Sequence, residues 1–277
     1  MSKMKFAIIG DPISHSLSPI LHNYWFKKYQ LNAEYSLLNI QPDEIEKTID
    51  KVKKKEIKGI NVTLPYKRSV IPFLSKTVND AKQTHSVNTI LLDDNESIIG
   101  ENTDVFGFQA AYLKSISELE KKSKRVLILG AGGVSPSIIL ALIKSNFNKI
   151  SLSNRTYEKS LFLKKKFPTI NIIKWEDYLN KFDEFDIVIN ATSLGLTKGN
   201  DFKDKVIKFK KSLIYIDTIY NPSQTKMIKH LKLSNIKTYN GLSMFIYQGQ
   251  KSFYLWNKIN PEVDDDLLKL LESKLNL

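Results

Sequence analysis

Arg125-Val126-Leu127-Ile128-Leu129-Gly130-Ala131-Gly132-Gly133-Val134-Ser135-Pro136 is the stretch that decides the fold. Arg125–Leu129 is a short apolar run of strand length. It passes directly into a glycine-rich turn and then into a helical pattern reaching Ser145. Gly130 and Gly132 let the backbone turn tightly and approach an anion, and the N–H groups at the helix start face that anion. Pro136 suits the first helical turn, where its missing donor is not needed. Ser135 stands where a third glycine is usual and is small enough for helix–strand packing. The same pattern also serves as a plain strand-to-helix turn, so Gly130, Ala131, Gly132, Gly133 and Val134 become dinucleotide contacts only in the right surroundings.

The next strand, Lys149–Ser153, supplies those surroundings. A turn that binds NAD carries an acid at this strand end to accept from the ribose 2′-hydroxyl. Here the turn reads Asn154-Arg155-Thr156, with Lys159 one helical turn on. A guanidinium pairs bidentately with a 2′-phosphate, so the missing acid and the present arginine both point to NADP. Asn190-Ala191-Thr192-Ser193-Leu194-Gly195 closes another strand of the series, where ligands of open α/β sheets gather. Thr192 and Ser193 suit contact with a ribose or a nicotinamide, and equally suit a loop of turn-forming residues.

Outward from this core, strands and helix-length segments alternate. Asp186–Asn190, Leu213–Asp217 and Lys237–Tyr239 extend the series towards the C-terminus, which predicts a doubly wound, Rossmann-type domain. Towards the N-terminus, Lys5–Ile9, Glu34–Asn39 and Gly59–Thr63 read as strands. A helix with Ser18 as its cap starts at Pro19, and another spans Glu44–Lys55. Val87–Leu92 and Ser97–Gly100 flank Asp93-Asp94-Asn95, a hairpin signal. Val105–Ser115 reads as a helix, Ser117–Lys124 as a polar connector, and Leu242–Asn257 and Asp264–Leu275 as closing helices. The expected organisation is two α/β domains. Residues 1–104 form a substrate domain, 105–240 the NADP domain, and the helices of 241–277 return to the first domain.

Composition narrows the function. The 277 residues include 42 Lys plus Arg against 29 Asp plus Glu, a formal charge of +13. A surplus of that size suggests nucleic acid, but only Arg68, Arg125 and Arg155 are arginines. Readers of phosphates and base edges rely on arginine forks, so the scattered lysines read as solvated faces and no nucleic-acid partner is expected. There are no cysteines, which excludes disulfides, zinc–thiolate sites and a cysteine nucleophile. No metal site is expected. No apolar run approaches the ~20 residues of a membrane span, and no targeting segment is visible, so the expectation is a cytoplasmic protein.

The N-terminal half carries four polar clusters at strand ends: Ser14 to Pro19, Asn61 to Lys67, Val87 to Thr89, and Gly100 to Asp104. Together they suit a small polyhydroxylated acid. Each also has a plain structural use, Ser18 and Asp104 as helix caps and Lys67 as a surface lysine.

In this order, followed by the NADP turn, the clusters resemble shikimate dehydrogenases over nearly the whole chain. The resemblance rests on Gly10-Asp11-Pro12-Ile13-Ser14-His15-Ser16-Leu17-Ser18-Pro19, on Asn61-Val62-Thr63-Leu64-Pro65-Tyr66-Lys67, on Asn102-Thr103-Asp104, and on Gly241, Met244 and Gln248. It implies reduction of 3-dehydroshikimate to shikimate by NADPH, on the route to chorismate and the aromatic amino acids. It implies that Ser16 and Ser18, with Tyr220, bind the substrate carboxylate. Thr63, Asn88 and Gln248 would hold ring hydroxyls, Lys67 and Asp104 would form the catalytic pair, and Gly241 would join the cofactor contacts. Chemistry agrees with that pair, because hydride delivered to a carbonyl carbon builds negative charge on oxygen, which a cationic proton donor neutralises. Two positions depart from the family pattern. Ser135-Pro136 stands where many members have a small residue and then a basic one, and Lys159 stands where arginine is frequent. The alternatives are a quinate/shikimate dehydrogenase using NAD or NADP and, more remotely, a non-catalytic NADP-binding or nucleic-acid-associated protein. Monomer and homodimer are both open.

Overall fold

The apolar run that begins after Lys5 forms a central strand because Phe6 to Ile9 are all buried, on both faces of the sheet. This computed structural model describes residues 3–202 and 208–275. The chain divides into two units, one of Met1–Gly107 with Ile246–Lys274 and one built on Phe108–Phe245.

The first unit runs β1 (Met4–Gly10), α1 (Ser18–Lys28), β2 (Ala33–Asn39), α2 (Ile45–Lys53), β3 (Gly59–Val62), β4 (Lys76–Thr77), α3 (Asn79–Thr84), β5 (Thr89–Leu92) and β6 (Ile98–Glu101). Its six-stranded sheet has the order β2-β1-β3-β5-β6-β4. β1 pairs parallel with β2 and β3, whereas β5 pairs antiparallel with β3 and β6. The turn joining β5 to β6 is tied by Asp93, whose Oδ1 accepts from the N–H groups of Asn95 and Ser97. The side chains of Ile45, Ile49 and Val52, at helical spacing on α2, close one face of the sheet against Ile9, Ile60 and Ile90.

α4 (Asp104–Phe108) leads out of the first unit and continues as a wider π-helical turn, Gln109–Leu113. The expected helix Val105–Ser115 is therefore shorter and not uniformly α. The expected connector holds α5 (Glu118–Ser123), opened by a Ser117/Glu120 capping box. The second unit continues through β7 (Arg125–Leu129), α6 (Ser135–Lys144), β8 (Lys149–Ser153), α7 (Tyr157–Lys166), β9 (Asn171–Ile173), β10 (Ile187–Asn190), β11 (Ile214–Asp217), α8 (Lys226–Lys232) and β12 (Lys237–Tyr239). All five pairings of its sheet are parallel, in the order β12-β11-β10-β7-β8-β9. The order reverses between β7 and β10, which makes the strand ends there a crevice for ligands.

α9 (Leu242–Asn257) brings the chain back, and α10 (Asp265–Leu275) follows it. Trp256 of α9 donates from its indole to the Ile90 carbonyl at 3.1 Å and fills the space above Gly59, where a Cβ would meet the indole nitrogen at 2.2 Å. Ahead of α10, Glu262 and Asp264 bind Lys28, and Asp264 accepts from the Tyr24 hydroxyl at 2.7 Å. Among the described residues no helix is long and apolar enough to cross a membrane.

α1 turns a different face inward than its apolar residues suggest. Leu21, His22, Trp25 and Phe26 are buried, while Ile20 and Tyr24 are only partly covered. His22 lies flat on Tyr35, with ring centroids 4.4 Å apart, among Trp25, Phe253 and Trp256. Burial pushes its imidazole down from 6.5 to about 3. Between those values the unfolded chain takes up a proton that the folded chain refuses. The contribution of His22 to stability is therefore full above about pH 6.5 and falls as the pH drops, by roughly 1.4 kcal/mol per pH unit. Denaturant unfolding of wild type and His22→Leu from pH 7 to pH 4 checks this. The variant should gain relative to wild type as the pH falls, and a difference that does not change with pH would contradict the assignment.

Candidate functional site

In the first unit the strand ends bring four of the singled-out side chains together. Tyr66 anchors the turn after β3 by donating to the Ile40 carbonyl at 2.7 Å, and the Lys67 carbonyl accepts from Val87 N at 2.8 Å. With its backbone held at both ends of this turn, Lys67 extends its Nζ to Asp104 Oδ2 at 2.5 Å. The pair is largely withdrawn from water, with side-chain exposures of 13% and 7%. Asn88, directly before β5, donates from Nδ2 to the other Asp104 oxygen at 3.0 Å and to Gln248 Oε1 at 3.2 Å. Asn88 Oδ1 accepts from Thr103 N at 2.7 Å, which fixes the amide so that its donors face Asp104.

Asp104 does not cap the helix it opens. Asn102 does so, its Oδ1 accepting from the N–H groups of Asp104 and Val105 at 3.1 and 3.3 Å. The Asp104 carboxylate is left for Lys67 and Asn88. Ser18 is not a helix cap either. Leu17 holds the cap position without a side-chain bond, and Ser18 is buried with its Oγ accepting from Ser16 Oγ at 3.1 Å. Ser16 and Ser18 thus form their own pair at the start of α1. Thr63 sits at the end of β3, its N–H bound to the Ile9 carbonyl at 2.9 Å. Among the described residues, no hydrogen bond joins the side chains of Ser16, Ser18 or Thr63 to the Lys67 cluster.

In the second unit the glycine turn follows β7 and opens α6. Gly130 has φ +105°, and a Cβ there would lie 2.8 Å from the Ala191 carbonyl oxygen, so the fold itself demands this glycine. Gly132 differs. Nothing of the protein lies closer than 3.9 Å to the position of its Cβ, so its bare backbone leaves room for a ligand. Among the described residues no protein acceptor takes the N–H of Gly132 or of Val134. The N–H of Ala131, by contrast, is taken by Asn154 Oδ1 at 2.9 Å, and Asn154 Nδ2 donates to the Thr156 carbonyl at 2.7 Å. Asn154 therefore clamps the glycine turn to the Arg155 turn. Arg155, Thr156 and Lys159 are exposed, and among the described residues no acidic side chain pairs with Arg155 or Lys159. Bare backbone at a helix start beside an unpaired guanidinium fits a nucleotide carrying an extra phosphate.

The other members of this set are less free. The Thr192 hydroxyl donates to Asn190 Oδ1 at 2.7 Å and accepts from Leu194 N at 3.0 Å, so it is engaged within its own turn. Ser193 is exposed beside it. Gly241 is buried, and a Cβ there would meet the Thr218 carbonyl oxygen at 2.1 Å, so close packing requires this glycine. Tyr220 belongs to the second unit and lies against Phe245, with ring centroids 4.8 Å apart. Sequence reasoning passed over Asp217, a buried carboxylate that accepts from Asn190 Nδ2, Ile219 N and Thr225 Oγ1 at 2.8–3.1 Å. Burial pushes it up to about 6.

Comparison with known proteins gives one answer over both units. Residues 8–90 match the family of the shikimate dehydrogenase substrate binding domain, and residues 112–240 match shikimate / quinate 5-dehydrogenase. A shikimate dehydrogenase (NADP(+)) from Pelagibacter ubique is 47% identical over 270 residues, covering 98% of this chain and 99% of the relative. The crystal structure of shikimate dehydrogenase from Aquifex aeolicus is similar with TM-score 0.87 at 33% identity, over 99% of this chain and 98% of that one. Shikimate 5-dehydrogenase from Thermus thermophilus, in complex with NADP(H) and shikimate, is similar with TM-score 0.85 at 27% identity, over 99% of both chains. With the substrate motifs at the strand ends of one unit and the glycine turn opening a helix in the other, the chain belongs to the shikimate dehydrogenase family.

Proposed function

We propose that this protein catalyses the reversible NADPH-dependent reduction of 3-dehydroshikimate to shikimate, with Lys67 and Asp104 as its catalytic pair. The Lys67–Asp104 contact of 2.5 Å, secluded at the strand ends beside Asn88 and Gln248, carries this reading. Bound NADPH supplies the hydride. Lys67 faces the carbonyl oxygen, offsets the negative charge that develops there and delivers a proton from Nζ. Asp104 holds Lys67 through Oδ2 while Asn88 holds Asp104 through Oδ1, so the ammonium has one direction to point. Ser16, Ser18 and Tyr220 donate hydroxyls to the substrate carboxylate, and Thr63, Asn88 and Gln248 read the ring hydroxyls. Gly130, Ala131, Gly132, Gly133 and Val134 form the pyrophosphate turn. Arg155, with Thr156 and Lys159, takes the 2′-phosphate, Asn154 contributes by holding their turn against the glycine turn, and Thr192, Ser193 and Gly241 line the rest of the cofactor site.

The family that matches residues 112–240 is described for shikimate and quinate alike, which keeps a quinate-active enzyme as the second reading. A panel of shikimate and quinate against NADP and NAD, followed by the absorbance of the reduced nicotinamide, separates the two. The expected result is the highest kcat/KM with shikimate and NADP. No turnover with any pair would refute the activity, and a preference for quinate or NAD would favour the second reading. The lysine surplus belongs to composition and to steering anionic ligands, not to a nucleic-acid partner. The enzyme works in the cytoplasm as a monomer or homodimer, which a solution mass measurement distinguishes.

A further inference from the structure

Beneath the proposed catalytic pair lies a buried hydrogen-bonded group to which the proposed mechanism gives no part: Asn61, Thr89, Thr103 and Ser252, each no more than 4% exposed. They come from four places in the chain. Asn61 is on β3, opposite Thr89 of β5 in the antiparallel register. Thr103 directly precedes Asp104, and Ser252 lies one helical turn beyond Gln248 on α9. Asn61 Oδ1 accepts from the Tyr35 hydroxyl at 2.7 Å, which orients its amide. Nδ2 then faces three acceptors, the Asn88 carbonyl at 3.0 Å, Ser252 Oγ at 3.0 Å and Thr89 Oγ1 at 3.2 Å. Ser252 Oγ in turn donates to the Gln248 carbonyl at 3.1 Å and contacts Thr89 and Thr103 at 2.8 and 3.2 Å.

We infer that Asn61 is a positioning residue, whose single amide sets the place of Asn88 through its carbonyl and the place of Gln248 through Ser252. The inference rests on the proposed reaction. Its physical basis is that two elements meet at this amide. The Asn88 carbonyl accepts from both Val62 N, at 2.9 Å, and Asn61 Nδ2, so the peptide that aims the Asn88 side chain is held twice. α9 is far away in sequence, and the Ser252 hydroxyl gives it a polar link to the strand ends. An apolar residue at position 61 would take a donor from the buried Ser252 hydroxyl and one of two from the Asn88 carbonyl, and would remove the Asn61 acceptor of the buried Tyr35 hydroxyl, so the groups that Asn61 holds would shift. Asn61 touches neither Lys67 nor Asp104, so its effect on chemistry passes through Asn88 and Gln248.

The test compares wild type, Asn61→Ala, Ser252→Ala, the double variant, and Ile49→Val as a core control on α2. For each, kcat, KM for shikimate, KM for NADP and the melting temperature are measured. Asn61→Ala should lower kcat about tenfold and raise KM for shikimate, with KM for NADP unchanged. Ser252→Ala should lower kcat less, and the double variant should be no worse than Asn61→Ala alone, because both remove one linkage. Ile49→Val should lose melting temperature and keep its kcat. Unchanged kcat in Asn61→Ala, independent and multiplying effects of the two substitutions, or an equal kcat loss in Ile49→Val would each overturn the inference. If Asn61→Ala does not fold, Ser252→Ala decides: a lower kcat supports the linkage and an unchanged kcat refutes it. If wild type itself turns over no substrate, the proposed activity fails separately. The inference is then read on shikimate affinity by calorimetry, which Asn61→Ala should lower about tenfold and would leave unchanged if it positions nothing.

Discussion

Lys67→Ala is expected to lower kcat by about a thousandfold or more, while shikimate still binds. Proton transfer by a positioned side chain contributes roughly 10²–10⁴-fold, and a charge aimed at the developing oxyanion contributes on the order of 10²–10³-fold. The proposed mechanism gives Lys67 both roles, and no second cation is within ion-pair range of Asp104 among the described residues to substitute for it. Binding should change little, since the other proposed substrate contacts, Ser16, Ser18, Thr63, Asn88 and Gln248, remain. The substitution also strands the Asp104 carboxylate, 7% exposed, without its cation. Breaking a buried pair on one side costs about 3–5 kcal/mol, so a lower melting temperature accompanies the loss of rate. Steady-state kinetics below that melting temperature, together with shikimate titration, separate the two effects. A kcat within tenfold of wild type would remove Lys67 from the mechanism.

Arg155→Ala should act on cofactor choice and leave the chemistry intact. Hydrogen bonds to a charged group contribute about 1.5–3 kcal/mol, which corresponds to a tenfold to hundredfold rise in KM for NADPH. NADH has no 2′-phosphate, so its KM should hardly move, and the preference for NADPH should shrink by the same factor. Arg155 is exposed and pairs with no acidic side chain among the described residues, so the melting temperature should stay put. Lys159, also exposed, should keep part of the charge and prevent a complete switch. Parallel kinetics with both reduced cofactors provide the check. Equal changes for the two would place Arg155 outside the phosphate site.

Much of this could be read along the chain, because local chemistry writes itself locally. The run Arg125 to Pro136 announces a strand, a turn and a helix in order, and those are β7, the turn around Gly130 and α6. Asp93 to Asn95 announces a hairpin through side chains that bond their own backbone. The capping box at Ser117 and Glu120 is equally legible, a serine three residues before a glutamate at a helix start. The edge strands β4 and β9 were not legible. Two or three residues long, they hold their place by pairing to a neighbour and carry no pattern of their own.

The sequence by itself determined the two α/β arrangements, the glycine turn, the lone acid-free Arg155 turn and the membership of Lys67, Asn88 and Asp104 in one family of motifs. Those depend on residue types at short spacings, which survive without a third dimension. Only the tertiary structure decided what each polar group is bonded to. It gave the helix cap to Asn102 and freed Asp104 for Lys67, spent the amide of Asn154 on the glycine turn, and put Asn61 and Ser252, remote in sequence, under one network. A buried donor must find an acceptor wherever the packed chain offers one. Which acceptor that is depends on the pairing of β3 with β5 and on the packing of α9 over their ends, and no local pattern encodes either.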